Sequence, residues 1–173
     1  MPRAVRNILA QKFSLAQDSC VELDRIDRIL LDSLQRDGRI TNAALAGKAN
    51  LSESACLRRV RALETSGLIA GYGAQLNQEK AGFPVNVFVH ITLDRQDQAD
   101  LQAFERAVRK IPEVMECYLM SGEYDYLVRV VVADMADFER IHSHQLTRLP
   151  GVVRVHSSFA LRTVQKSAAL PIR

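Results

Sequence analysis

The chain has 173 residues, of which 47% are hydrophobic and 25% charged. These values are typical of a globular protein with a buried core and exclude a disordered chain. The length allows one domain or two small ones and excludes a large multidomain enzyme. The net charge of +3, from 23 Lys and Arg against 20 Asp and Glu, is too small to define a function class by itself.

The cysteines and the apolar runs indicate where the protein works. Cys20, Cys56 and Cys117 are an odd number at wide spacings, which predicts neither a disulfide framework nor a zinc site. No apolar run approaches the roughly 18 residues that span a bilayer, and the amino end lacks a signal-peptide pattern. We therefore expect a soluble cytoplasmic protein that has no membrane partner.

Capping residues divide the first part of the chain into short helices. Residues 1–22 contain no capped amphipathic segment and are predicted to be an N-terminal arm. Apolar residues at helical spacing follow, and Asp24, Thr41 and Ser52 are suitable N-caps for three successive helices. The second and third helices, joined by a short turn, predict a helix-turn-helix domain over residues 23–70.

The second part of the chain changes to strand periodicity. Residues 71–83 are predicted to be a linker, and residues 85–93 then alternate strictly between two sets of side chains. Residues 84–165 follow the order strand, helix, strand, strand, helix, strand, and residues 166–173 form a tail. This order predicts a ferredoxin-like βαββαβ domain, so the whole chain is of the α+β class.

In such a domain both helices cover one face of the sheet, and the other face needs an explanation. The residues predicted to point to that face mix apolar with polar side chains, which is typical of an association surface. They include Phe88, His90, Tyr118, Leu127, Arg129, Val131, His156 and Ser158. We expect this face to pair with a second copy of the chain.

The predicted third helix has a basic side. At about 100° per residue, Ser54, Arg58 and Arg61 share the side that faces away from the core, and Ser52 and Arg59 lie near its edges. Arg can bind guanine edges or phosphates with two hydrogen bonds, and Ser can reach either. The pattern therefore predicts a recognition helix for the major groove of DNA. The alternative is an ordinary solvated basic face.

Several stretches resemble the Lrp/AsnC family of transcriptional regulators, the feast/famine proteins. They are "LDRIDRILLDSLQRDGRITNAALAGKANLSESACLRRVRALETSGLIAGYGAQLN", "VFVHITL", "SGEYDYLVRVVVADM" and "LPGVVRVHSSFALRTVQ". The resemblance implies a winged-helix-like amino-terminal domain, a hinge strand, a ferredoxin-like domain that dimerises through its sheet, higher oligomers such as tetramers or octamers, and regulation by an amino acid. The N-terminal arm and Asn50, where glycine is common, depart from the family pattern.

A second candidate site is the loop "SGEYDY". Gly122 can bring backbone N–H groups close to a carboxylate, and Asp125 can accept hydrogen bonds from an ammonium group. A free amino acid carries both charges, although an ordinary turn has the same composition. The resemblance implies that this loop lines an effector pocket where dimers meet, which adds Tyr124. Ser157 and Ser158 are weaker candidates for the same pocket.

These observations predict a sequence-specific, homo-oligomeric regulator of transcription that binds double-stranded DNA and responds to an amino acid or a related metabolite. Arg39 and Asn42 are further candidates for backbone contacts. We expect no catalytic residue, no metal and no cofactor besides the amino-acid effector, and a nucleoid-associated location. Two alternatives remain, an architectural DNA-compacting protein of low specificity and an enzyme on a ferredoxin-like scaffold.

The charge is unevenly divided between the two parts of the chain. Residues 1–76 carry 11 Lys and Arg against 8 Asp and Glu, whereas residues 77–173 carry 12 of each. The whole excess of positive charge thus belongs to the part assigned to DNA. Because an excess of three is modest, we expect affinity to depend on several helix-turn-helix units acting together.

Overall fold

A computed structural model of the chain describes residues 21–172. The predicted arm therefore lies almost wholly outside the described residues, as does Cys20. The described part divides into two compact units, one formed by residues 21–75 together with residues 164–172 and the other by residues 76–163. No helix in this part of the chain is long and apolar enough to cross a membrane.

The first unit contains three helices, each opened by one of the predicted caps. Asp24, Thr41 and Ser52 accept hydrogen bonds from backbone N–H groups three residues ahead, at 2.8, 3.2 and 3.3 Å. These bonds satisfy donors that have no partner within the helix. The helices are α1 (Arg25–Arg36), α2 (Asn42–Ala49) and α3 (Glu53–Thr65).

The turn between α2 and α3 requires an unusual backbone conformation. Asn50 follows α2 with φ 52°, ψ 49°, in the left-handed region that asparagine tolerates better than most residues. The turn brings α3 back onto α1, so that the three helices enclose a small core. The buried residues of this core are Leu30, Leu45, Ala46, Ala49 and Cys56.

The segment between the two units contains no strand in the described chain. Residues 66–84 consist of turns and irregular backbone, whereas the family resemblance implied a hinge strand in this linker. A strand is defined by hydrogen bonds to a neighbouring strand, and here the segment pairs with none. The expected hinge strand is thus not formed within a single described chain.

The second unit is a four-stranded antiparallel sheet with the spatial order β2-β3-β1-β4. This order is that of a ferredoxin-like domain, which confirms the predicted α+β class. The elements are β1 (Val85–Leu93), α4 (Gln98–Val108), β2 (Val114–Leu119), β3 (Tyr126–Val132), α5 (Met135–His144), a single 3₁₀ turn (Leu146–Arg148) and β4 (Val152–Phe159).

The two faces of the sheet differ as the alternation predicts. Val87, Val89 and Ile91 are fully buried on the face covered by the helices. On the opposite face of β1, Phe88 is exposed and His90 is half-buried. The sheet therefore has one complete core and one face that the described chain leaves partly open.

Candidate DNA-binding surface and effector loop

The outer side of α3 presents two unpaired cations. The Arg58 and Arg61 side chains are exposed, and within residues 21–172 neither forms an ion pair. Ser52 and Ser54 are exposed at the amino end of the same helix, with their hydroxyl oxygens 3.3 Å apart. The two guanidinium groups are therefore free to contact phosphates or base edges, and the two hydroxyls are exposed beside them, although Ser52 also caps the helix.

Arg59 has a different role from its two neighbours. Its Nη1 donates to Asp24 Oδ2 at 2.7 Å and to Asp27 Oδ1 at 2.8 Å, so the guanidinium joins α3 to the beginning of α1. These hydrogen bonds raise the pKa of Arg59. The pKa of Asp24 is lowered, first by the Asp27 backbone N–H and then by Arg59. All three charges, of Arg59, Asp24 and Asp27, are thus paired within the domain, which argues against the predicted direct contact of Arg59 with DNA.

The other two predicted DNA contacts precede α3 in sequence. Asn42 is half-buried and its Nδ2 donates to the Glu53 carbonyl at 2.9 Å, which links the first turns of α2 and α3. Arg39 is exposed before α2, and its backbone N–H donates to Asp37 Oδ1 at 2.9 Å. The Arg39 guanidinium forms no ion pair among residues 21–172, while Asn42 holds the motif together.

Of the two described cysteines, Cys56 is a core residue and Cys117 is half-buried against the core of the second unit. Cys56 is fully buried beneath α3, and both Cys56 and Cys117 are free thiols. Burial raises the pKa of Cys56, and it raises that of Cys117 to about 11. Thiols with raised pKa values are poor nucleophiles at neutral pH, so these two cysteines serve packing.

Asp125 in the predicted effector loop points into the protein. Its side chain is 7% exposed, and its Oδ2 accepts from the Leu93 backbone N–H at 2.7 Å. Its Oδ1 accepts from Gln96 Nε2, a partner that no sequence motif indicated. The carboxylate therefore ties the end of β1 to the loop. Its burial and its two donors argue against the predicted contact of this carboxylate with the ammonium group of an effector.

Gly122 and Tyr124 lie differently from Asp125. Gly122 is exposed, its φ lies outside the left-handed region, and a Cβ added there would meet no atom within 4 Å. The Tyr124 ring lies over the open face of the sheet, 4.5 Å from the His90 ring centroid and 6.5 Å from that of His156. Within one chain the three loop residues thus do not converge on a single pocket.

The strand register separates the two predicted serines. Ser157 pairs with Val89, whose side chain is in the core, while Ser158 pairs with Phe88 on the open face. Neighbouring residues of a strand point to opposite faces. Ser157 and Ser158 therefore cannot line the same side of one pocket, and Ser158 is the one that shares the face of Tyr124.

Metal-binding side chains are not clustered in the described chain. Residues 21–172 contain no group of three or more His, Cys, Asp or Glu side chains that could hold a metal ion. His142 packs against Phe138, and His144 Nδ1 lies 3.1 Å from the Arg140 carbonyl oxygen. These two histidines of α5 are accounted for by contacts within the helix.

A capped helix-turn-helix with exposed cations, joined to a ferredoxin-like domain, defines a two-domain DNA-binding regulator. Residues 23–70 match the winged helix-turn-helix DNA-binding family model, and residues 86–170 match the Lrp/AsnC ligand binding domain model. The Leucine-responsive regulatory protein of Escherichia coli K12 is 42% identical over 88% of this chain and 93% of its own length.

Solved structures agree with the sequence matches. A transcriptional regulator from Neisseria meningitidis, in complex with L-methionine, has a TM-score of 0.82 at 35% identity, covering 87% of this chain and 97% of its own. A feast or famine regulatory protein from Mycobacterium tuberculosis, also complexed with L-methionine, has a TM-score of 0.77 at 37% identity, covering 85% and 97%. The chain belongs to the Lrp/AsnC family of DNA-binding transcriptional regulators.

Proposed function

We propose that this regulator binds specific DNA sites as a homo-oligomer through α3, and that an amino acid controls this binding. The observation that carries the DNA-binding surface is the free state of Arg58 and Arg61 beside a fully paired Arg59. A recognition helix needs cations that are not paired within their own domain. Arg58 and Arg61 meet this condition, whereas Arg59 of the same helix does not.

The proposed contacts divide by their chemistry. Arg58 and Arg61 read base edges or bind phosphates, and Ser52 and Ser54 reach the groove at the amino end of α3. Arg39 holds the DNA backbone from outside the motif. In a two-fold dimer the recognition helices lie roughly 34 Å apart, so the preferred site is a pseudo-palindrome.

A double substitution tests the DNA-binding surface. Duplexes are first selected from a random library by the unaltered protein, and affinity for the enriched sequence is then measured by fluorescence anisotropy. We expect Arg58→Ala/Arg61→Ala to weaken binding at least about 30-fold, because each lost contact costs roughly 1 kcal/mol or more. The control is Arg36→Ala, which removes an equally charged but distant side chain of α1 that is paired with Asp32. Unchanged affinity of the double variant would exclude α3 as the recognition helix.

The same selection distinguishes a specific regulator from an architectural one. A specific regulator enriches one short palindrome and prefers it about a thousandfold or more over random duplex. An architectural DNA-compacting protein, the alternative, enriches no motif and binds all duplexes with a steep salt dependence. The small positive charge of the DNA-binding part favours the specific regulator.

We propose that the effector is an aliphatic or thioether amino acid, which binds at the loop of Gly122 and Tyr124. Support comes from the leucine-responsive relative and from the two structures complexed with L-methionine. A Cβ added at Gly122 would meet no atom within 4 Å, so a carboxylate can approach the backbone of the loop there. Asp125 positions the loop from behind. Calorimetric titration with L-leucine and L-methionine tests this site. The absence of binding by both amino acids would reject it.

The oligomer forms, in our proposal, through the open face of the sheet, with tetramers or octamers built from such dimers. The polar side chains of this face are arranged in a network in which Arg129 donates to Glu116 at 2.8 Å and to Asn86 at 3.0 Å. His90 Nδ1 on the same face is buried yet has no hydrogen-bond partner within residues 21–172. A second copy would cover the apolar members of this face and could supply that partner.

The proposed place of action follows from the DNA ligand. We propose that the protein works in the cytoplasm, on the nucleoid, with no cofactor besides its amino-acid effector. The relatives described above are regulators of transcription, which favours this role over an enzyme on a ferredoxin-like scaffold.

A further inference from the structure

The last described residues of the chain return to the helix-turn-helix unit. The polypeptide leaves this unit after residue 75, forms the whole sheet unit, and rejoins the first unit from residue 164 onward. The contacts of this returning segment with α1 are made by Leu170–Ile172. Neither the helix-turn-helix pattern nor the effector loop explains them.

Gln35 of α1 binds the backbone of Leu170 with both ends of its amide. The Leu170 N–H donates to Gln35 Oε1 at 2.6 Å, and Gln35 Nε2 donates to the Leu170 carbonyl at 3.2 Å. Such a pair imitates the contacts that one strand makes with another and recognises an extended backbone. Pro171 favours the extended conformation of the residue before it, so Leu170 is prepared for this contact.

Apolar side chains surround the two hydrogen bonds. Leu170 and Ile172 line a pocket together with Leu31 and Leu34 of α1 and residues 68–72 of the segment after α3. Leu31 and Ile172 are at least half-buried, whereas the Leu170 side chain is 71% exposed. The segment is thus held by the backbone of Leu170 and by the side chain of Ile172.

We propose that this groove on the helix-turn-helix unit is a docking site for the C-terminal segment of the same chain, residues 164–172, and that the docked segment is a second tether for the DNA-binding domain. The linker after residue 75 alone would leave that domain free to rotate about one connection. Two connections reduce the orientations available to α3. The inference rests on the proposed DNA binding only for its effect on affinity, since docking itself can be measured without DNA.

Hydrogen exchange of the full-length protein and of a variant that ends at Gln165 tests the docking. We expect amides of residues 31–35 and 68–72 to exchange about fivefold faster or more in the truncated variant, while β1 and β3 keep their protection. Fivefold corresponds to about 1 kcal/mol, the net value of one hydrogen bond. Adding a synthetic peptide of residues 164–173 should restore the slow exchange. Unchanged exchange in the truncated variant would overturn the proposal.

A single substitution keeps the test decisive if the truncated variant does not fold. Gln35→Ala removes both hydrogen bonds to Leu170 and should accelerate exchange at the same amides, whereas Gln102→Ala, an exposed residue of α4, should not. The measurement is repeated at a tenfold lower protein concentration. Protection that is lost on dilution would assign the docked segment to a second copy of the chain and would overturn docking within one chain.

DNA affinity tests the tether separately. The truncated variant should bind a duplex with two half-sites about threefold or more weakly than the unaltered protein. The loss should be smaller for a duplex with one half-site. With a looser tether, the second DNA-binding domain of the oligomer has a lower effective concentration at the second half-site. Equal affinities in the presence of faster exchange would overturn the tether. If the unaltered protein does not bind DNA at all, the proposed function is rejected, but the hydrogen-exchange result on docking is unaffected.

Discussion

The two candidate sites of this protein differ in how much of each is present in one chain. The DNA-binding surface on α3 is complete, because its caps, its core and its free guanidinium groups all come from residues 24–65. The effector loop is not, since Asp125 is buried, Tyr124 lies on the open sheet face and Gly122 faces empty space. The proposed DNA contacts can thus come from one chain, whereas the proposed effector pocket, at a seam between subunits, would need a second chain.

Replacing Asp125 should have the largest effect on stability. Asp125→Ala leaves the Leu93 N–H without its acceptor in a buried position, which costs about 1–3 kcal/mol of unfolding free energy. Chemical denaturation of the variant and of Glu123→Ala, an exposed carboxylate in the same loop, measures the difference. A stable Asp125→Ala protein that has lost its response to amino acids would instead make Asp125 an effector ligand and remove the contrast between the sites.

Replacing Arg59 should have an intermediate effect, on stability rather than on DNA contacts. Arg59→Ala breaks two ion pairs, one of them with the mostly buried Asp27, and we expect the midpoint of chemical denaturation to fall, by less than for Asp125→Ala. The salt dependence of DNA binding should not change, whereas Arg58→Ala should reduce its slope by about one. A reduced slope for Arg59→Ala would place Arg59 on the DNA.

The effect of Arg59 should also depend on pH. Because the pKa of Asp24 is lowered in the folded protein, the charged carboxylate stabilises the fold above its unfolded pKa, and this contribution is lost as the pH falls through the lowered value. The difference in the free energy of unfolding between the unaltered protein and Arg59→Ala should therefore be largest at neutral pH and decrease as the pH falls through the lowered pKa of Asp24. Arg36→Ala, which breaks an exposed ion pair with Asp32, serves as the control.

Replacing Gly122 should affect stability least. Gly122→Ala meets no neighbouring atom and needs no left-handed backbone, so the free energy of unfolding should change by no more than about 0.5 kcal/mol. If Gly122 admits the carboxylate of an effector to the backbone, the added methyl group should weaken the calorimetric affinity about tenfold. An unaltered titration would make the loop an ordinary turn.

Local signals made the fold predictable from the sequence. Asp24, Thr41 and Ser52 cap helices because their side chains bond backbone groups only three residues away. The alternation of β1 likewise identified Val87, Val89 and Ile91 as core residues. Each of these features depends on neighbours in the sequence, so a single pass along the chain finds it.

The individual roles at the sites could not be predicted in the same way. Arg58, Arg59 and Arg61 are equivalent by composition, and only the position of Asp24 and Asp27 in space separates Arg59 from the others. The internal contacts of Asp125 could not be predicted for the same reason, because its partners Leu93 and Gln96 are about 30 residues away in the chain. The residue types in a pattern are enough to predict the function of a site. The role of a single residue also depends on which groups, distant in the sequence, form hydrogen bonds with it.

Among the described residues, the sheet unit of residues 76–163 lies in the sequence between two segments of the helix-turn-helix unit. During synthesis the three helices emerge first and can fold on their own core, but their groove stays empty until all four strands have left the ribosome. Until then the groove is open to other chains at Leu31, Leu34 and residues 68–72. The proposed docking can therefore form only after the last strand of the sheet has been synthesised.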